Sequence, residues 1–179
     1  MSIREAVIRH AALCREALAA GKPRPRWEGG SLGRAHLSSA DLSGADLYDA
    51  KLDGAYLRGA NLGGANLGCA DLTSAYLSDA ILTGADLSGA YLTGAKIRGA
   101  KGIVAAGPVG VEGRILYGVA GLNGAAPMFQ AGCFWGTADE LRAAITVRYA
   151  DGSGIERHRA GYLAALEFIV AALAAQEAT

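Results

Sequence analysis

The stretch that decides the fold runs from Ala35 to Gly99 and reads AHLSS ADLSG ADLYD AKLDG AYLRG ANLGG ANLGC ADLTS AYLSD AILTG ADLSG AYLTG AKIRG. It is thirteen contiguous five-residue blocks, each opening on alanine and carrying leucine at its third position, with Ile97 the one departure. A period of five fits neither the 3.6 of a helix nor the 2.0 of a flat strand. It fits a short extended segment followed by a turn, repeated. Leu37, Leu42, Leu47, Leu52, Leu57, Leu62, Leu67, Leu72, Leu77, Leu82, Leu87, Leu92 and Ile97 then form the inward ladders, with the small alanines beside them. Glycines such as Gly44, Gly59 and Gly89 close the blocks, where a corner needs a permissive backbone.

The A-[DNYK]-L-x-x pattern resembles the pentapeptide-repeat family, strongly over residues 35–99 and loosely over 25–101. The resemblance implies a mainly β fold: a right-handed quadrilateral β-helix solenoid in which four blocks make one coil. Successive coils would then pair their backbones at about 4.8 Å. Spacing by twenty sorts the outward residues into four faces. One carries His36, Tyr56, Tyr76 and Lys96 in a column, with Ser38, Arg58, Ser78 and Arg98 beside it. A second carries Asp46, Asn66 and Asp86, a third Lys51, Asp71 and Tyr91, and a fourth Asp41, Asn61 and Ile81. The outside is therefore electrically sided, with a basic–aromatic face and an acidic one. Tyr and Arg dominate binding hot spots, so His36, Tyr56, Arg58, Tyr76, Lys96 and Arg98 are the candidate protein-binding residues.

The flanks divide the chain into three parts. Residues 1–24 form a capping helix and linker, with Ile3, Val7, Ala11, Cys14 and Leu18 in one apolar stripe ended by Gly21 and Pro23. Arg4, Arg9, Arg15 and Glu16 lie off the stripe, free to face water, and His10 sits at its edge. Residues 25–101 are the β-helix; Pro25–Gly29 and Gly30–Arg34 keep the register as two degenerate blocks, with Trp27 placed to plug the terminal layer. Residues 102–179 are a small α/β capping and oligomerisation module. Its short strands are expected over 103–106, 114–120 and 127–135. Thr137-Ala-Asp-Glu140 is a capping box that starts a helix running to Arg148. A last helix from Glu156 aligns Tyr162, Leu166, Ile169 and Leu173, and is apolar enough to serve a homodimer. Gly107-Pro-Val-Gly and Ala131-Gly-Cys-Phe-Trp-Gly-Thr resemble a module found after such repeats in some phage and prophage proteins.

Charge excludes several functions. Lys and Arg number 17, against 17 Asp and Glu. By segment the balance is six basic and three acidic residues over 1–29, six and seven over 30–101, and five and seven over 102–179. None is the concentrated basic face that direct nucleic-acid binding requires. Cys14, Cys69 and Cys133 match neither a disulfide framework nor a zinc motif. Tyr162–Ala175, broken by Glu167, is too short to span a bilayer. The expectation is a cytoplasmic protein, or a virion-associated one if phage-encoded, with no cofactor, no metal and no membrane.

No catalytic motif emerges, so the chain reads as a non-enzymatic structural or protein-interaction protein. The family resemblance adds an alternative, a DNA mimic that binds DNA gyrase or a related topoisomerase. That role calls for a long, strongly acidic rod, and this repeat is short and near neutral. A second alternative is a thiol-dependent enzyme centred on the carboxyl-terminal module, with Cys133 near a helix start and His158 as its base.

Overall fold

In the repeat, every fifth backbone position turns a corner. In this computed structural model, which describes residues 1–109, 114–119, 127–131, 134–150 and 158–177, the closing residue of each block from Arg34 to Gly99 has φ between 55° and 72°. Six of these corners are not glycine: Arg34, Ser39, Asp49, Cys69, Ser74 and Asp79. Each corner is a tight turn, in which the alanine amide of the next block donates to the preceding leucine (or Ile97) carbonyl at 2.9–3.1 Å. A left-handed third residue is the mark of a type II turn and is why glycine is favoured there.

Between corners the chain pairs with itself twenty residues on. Parallel bridges join His36 to Tyr56, Tyr56 to Tyr76 and Tyr76 to Lys96, and the same register holds for 41/61/81/101, 46/66/86 and 51/71/91. From Leu32 to Leu82, the amide of each third-position residue donates to the second-position carbonyl one coil ahead at 2.7–2.9 Å. Four blocks thus complete one coil, and the segment is a β-helix solenoid. Leucines from Leu32 to Leu82 are fully buried, and Leu87 and Leu92 nearly so. Ile97 departs from its expected place in the core and is only partly buried.

This ladder dictates what its amino-terminal mouth needs. Second- and fourth-position carbonyls point back toward the preceding coil, so those of the first coil have no repeat partner, and a buried orphan carbonyl is costly. Two degenerate blocks close part of the gap: the amides of Trp27, Leu32 and Arg34 donate to the carbonyls of Asp46, Lys51 and Asp53. Helix α1, Ile3–Ala19, closes much of the rest. Arg4 Nη1 donates to the His36 and Ser38 carbonyls, both at 3.0 Å, and Arg15 Nη1 to the Ser43 carbonyl at 2.9 Å. His10 Nε2 lies 2.9 Å from the Asp46 carbonyl, which only accepts, so that nitrogen carries the proton.

Several sequence expectations change here. Arg4 and Arg15 do not simply face water, and His10 is buried rather than at an edge. Val7, Ala11 and Cys14 of the stripe are buried, whereas its ends, Ile3 and Leu18, are 41% and 51% exposed. Trp27 does not plug the layer. It is half-exposed, with its indole N–H on the Gly30 carbonyl and its ring edge-on to His10 at 5.4 Å. A capping box on Ser2 and Glu5 starts α1.

The chain separates into two units, residues 1–102 and 103–179. The second is an antiparallel meander of four strands, β1 (Ile103–Val109), β2 (Arg114–Val119), β3 (Met128–Ala131) and β4 (Phe134–Gly136), in that spatial order. The single strand expected over 127–135 is instead the β3–β4 pair, with Gln130 opposite Trp135. Helices α2 (Ala138–Arg148) and α3 (Arg159–Glu177) complete it. Leu116 and Phe129 from the sheet pack with Leu141, Ile145 and Tyr149 and with Tyr162, Leu166, Ile169 and Leu173. The Thr137–Glu140 capping box is formed, and Glu167 is held by Arg142 at 2.6 Å. Because α3 extends beyond the expected apolar run, its Arg159–Gln176 window, of mean hydropathy 1.2, is long and apolar enough to cross a membrane by length and composition. Four of its large residues nevertheless lie in this core.

Candidate protein-interaction surface

Second-position side chains point out of the solenoid, and the twenty-residue bridges place those of one face directly above one another. On the first face the result is a continuous stack. The His36 and Tyr56 rings lie 4.8 Å apart and 7° from parallel, and Tyr56 and Tyr76 lie 5.0 Å apart and 11° from parallel. Lys96 Nζ closes the stack 4.1 Å over the Tyr76 ring, a cation–π contact. Both faces of each tyrosine are therefore covered, and the ring edges are what solvent meets; Tyr56 is 39% exposed.

Arg58, in the flanking column, reaches Asp79 at 3.6 Å, with both side chains mostly exposed. Such a pair contributes little and is screened by salt. Among the described residues Arg98 is exposed and shows no ion pair. The structure thus brings His36, Tyr56, Tyr76 and Lys96 into contact and leaves Arg58 and Arg98 as cations on the same face.

The acidic positions do something the sequence reading missed. Asp41, Asp46, Asp71 and Asp86 each accept, through Oδ1, the backbone amide two residues ahead, at 2.9–3.2 Å. Asn61 and Asn66 make the same bond at 3.1 Å and also donate to Asp41 and Asp46 one coil earlier. These are Asx turns, which satisfy the fourth-position amide that the inter-coil ladder leaves out. The available signal was Asp or Asn at position two, most often ahead of a small residue at position four. The Ser43 hydroxyl holds the Asp41 carboxyl below its ordinary range against the opposing effect of burial, with the Ser43 amide and the Arg15 charge adding lesser pulls in the same direction.

Cys14 is buried, which pushes its thiol up, and its sulfur lies 3.5 Å from His10 and accepts the Asp46 amide. Cys69 sits at a corner, 3.4 Å from the Tyr48 hydroxyl. Cys133 lies outside the described residues. Among the described residues no three metal-ligating side chains cluster.

Residues 31–68 and 69–101 match a family model described as pentapeptide repeats (8 copies). Among solved structures the chain is similar to a pentapeptide repeat protein of the cyanobacterium Nostoc, at 40% identity over 48% of this chain and 74% of that one, with a TM-score of 0.39. It is also similar to one from the Arabidopsis thaliana thylakoid lumen, at 34% identity over 42% and 49%, with a TM-score of 0.30. A third is HetL of Nostoc, involved in heterocyst differentiation regulation, at 40% identity over 39% of each chain and a TM-score of 0.25. No curated protein matches. On the repeat register, the family match and the shared identity, the chain belongs to the pentapeptide-repeat family.

Proposed function

We propose that the β-helix is a non-enzymatic scaffold that presents its His36–Tyr56–Tyr76–Lys96 column, flanked by Arg58 and Arg98, to a protein partner. The observation that carries this reading is the stack itself. It fixes two tyrosines, a histidine and a lysine on a rigid support, so little side-chain entropy remains to be lost on binding. The carboxylates at 41, 46, 71 and 86 are already engaged by their own backbone. This is why the interaction is placed on the basic–aromatic face. The phage-like motifs of the carboxyl-terminal module support searching for the partner among virion proteins.

The test is affinity capture with wild type and the Tyr56→Ala/Arg58→Ala double variant, after thermal melting shows that both are folded. The partner is expected to be retained by wild type and lost from the variant. Equal capture by both proteins removes the proposed face.

A further inference from the structure

The column also constrains the chemistry and shape of what it binds. Its ring faces are covered, by His36 and Tyr76 on Tyr56 and by Tyr56 and Lys96 on Tyr76. No base or sugar can stack on an inner ring, which removes the contact on which single-stranded nucleic acids rely. What remains outward are ring edges, tyrosine hydroxyls and the nitrogens of Lys96, Arg58 and Arg98. Lysine and arginine nitrogens only donate. Against these three cations stands one carboxylate, Asp79, in an exposed pair.

Spacing narrows the partner further. The column repeats at 4.8–5.0 Å, the ring separations of its upper half. A strand laid along the solenoid axis presents one face every ~6.6 Å and falls out of step within two coils. An α-helix rises about 1.5 Å per residue, so its i, i+4, i+7, i+11 residues advance by about 5.5 Å per step on average and drift by only about 0.6 Å per coil.

Building on the interaction reading above, we propose that the occupant is an acidic α-helix of the partner, lying along the solenoid axis. It presents about one carboxylate per turn to the tyrosine hydroxyls, Lys96, Arg58 and Arg98.

The probe is a fluorescein-labelled, alanine-based helical peptide of about five turns, with glutamates at i, i+4, i+7 and i+11. It is compared by anisotropy with a peptide of identical composition whose glutamates are spread around the helix. The one-sided peptide is expected to bind the full-length protein at least about fivefold more tightly. Binding should weaken when salt rises through the range where the Debye length shortens from ~14 to ~6 Å. Each of Arg58→Ala, Lys96→Ala and Arg98→Ala should cost roughly two- to fivefold, whereas Arg58→Lys with Arg98→Lys should keep most of the affinity. Equal binding of the two peptides, or tighter binding of an oligothymidylate, overturns the proposal. If the peptides fail while the Tyr56→Ala/Arg58→Ala variant still loses its captured partner, the helix proposal falls and the interaction reading stands. Unchanged capture by that variant removes both.

Discussion

At the scale of single residues, the outward second position has two different roles under one pattern. Aspartate or asparagine there closes an Asx turn on its own block, as Asp86 does with the Ser88 amide at 2.9 Å. Tyrosine, histidine or lysine on the first face builds the ring stack. Asp86→Ala should therefore lose about 1 kcal/mol, whereas Asp86→Asn, which keeps an acceptor oxygen, should be nearly neutral. Urea unfolding of the two variants measures the difference. For Asp41 the folded carboxyl sits below its ordinary value. Its contribution is thus present above the unfolded value and lost as pH falls through the folded one. Inwardness was legible in the sequence because alanine opens every block and leucine holds the third position in all but the last, where Ile97 stands. The Asx bond was not read, because an exposed aspartate satisfies the expectation of a polar surface equally well.

The elements show why the amino-terminal segment is basic. The sequence leaves Arg4, Arg9 and Arg15 free to face water, yet Arg4 and Arg15 of α1, and Arg24 after it, donate to repeat carbonyls. Arginine suits this task because one guanidinium offers several donors; Arg4 Nη1 serves two carbonyls and Arg24 Nη1 serves Gly44 and Gly64 in successive coils. Arg4→Ala with Arg15→Ala removes three arginine–carbonyl bonds and should loosen α1 by about 2–4 kcal/mol, below the full value of three charged hydrogen bonds because both side chains are half-exposed. Hydrogen exchange should report this as faster exchange of α1 amides with little change at Leu57, Leu62 and Leu67. Uniform acceleration throughout the solenoid would show instead that helix and repeat open as one unit. A helix was legible from its stripe and its Gly-Pro stop. Which of its arginines were committed to carbonyls was not, because that depends on the end of the first coil rather than on the helix.

For the molecule as a whole, the two units have different kinds of core. The solenoid core is one-dimensional, a ladder in which each leucine contacts the coils before and after it. Leu67→Ala at its middle removes buried contacts on both sides and should cost roughly 2–5 kcal/mol, read as a shift of the chemical-denaturation midpoint. The carboxyl-terminal unit has a two-layer core drawn from sheet and helices. Its helices were legible from the capping box and from the Tyr162–Leu173 stripe. Its third strand was not, because whether residues 127–135 fold as one strand or as two paired ones depends on a partner strand.

The family resemblance implied the twenty-residue register, and the structure's parallel bridges carry it. The sequence by itself determined the five-residue period, the leucine ladder and the corners. These follow from local backbone preference and from side-chain size repeated without a gap. The tertiary structure decided what the outward residues do. Whether an aspartate binds its own backbone, a tyrosine covers another, or an arginine closes an open mouth depends on which groups the ladder leaves unpaired. That is settled only when one coil lies on the next.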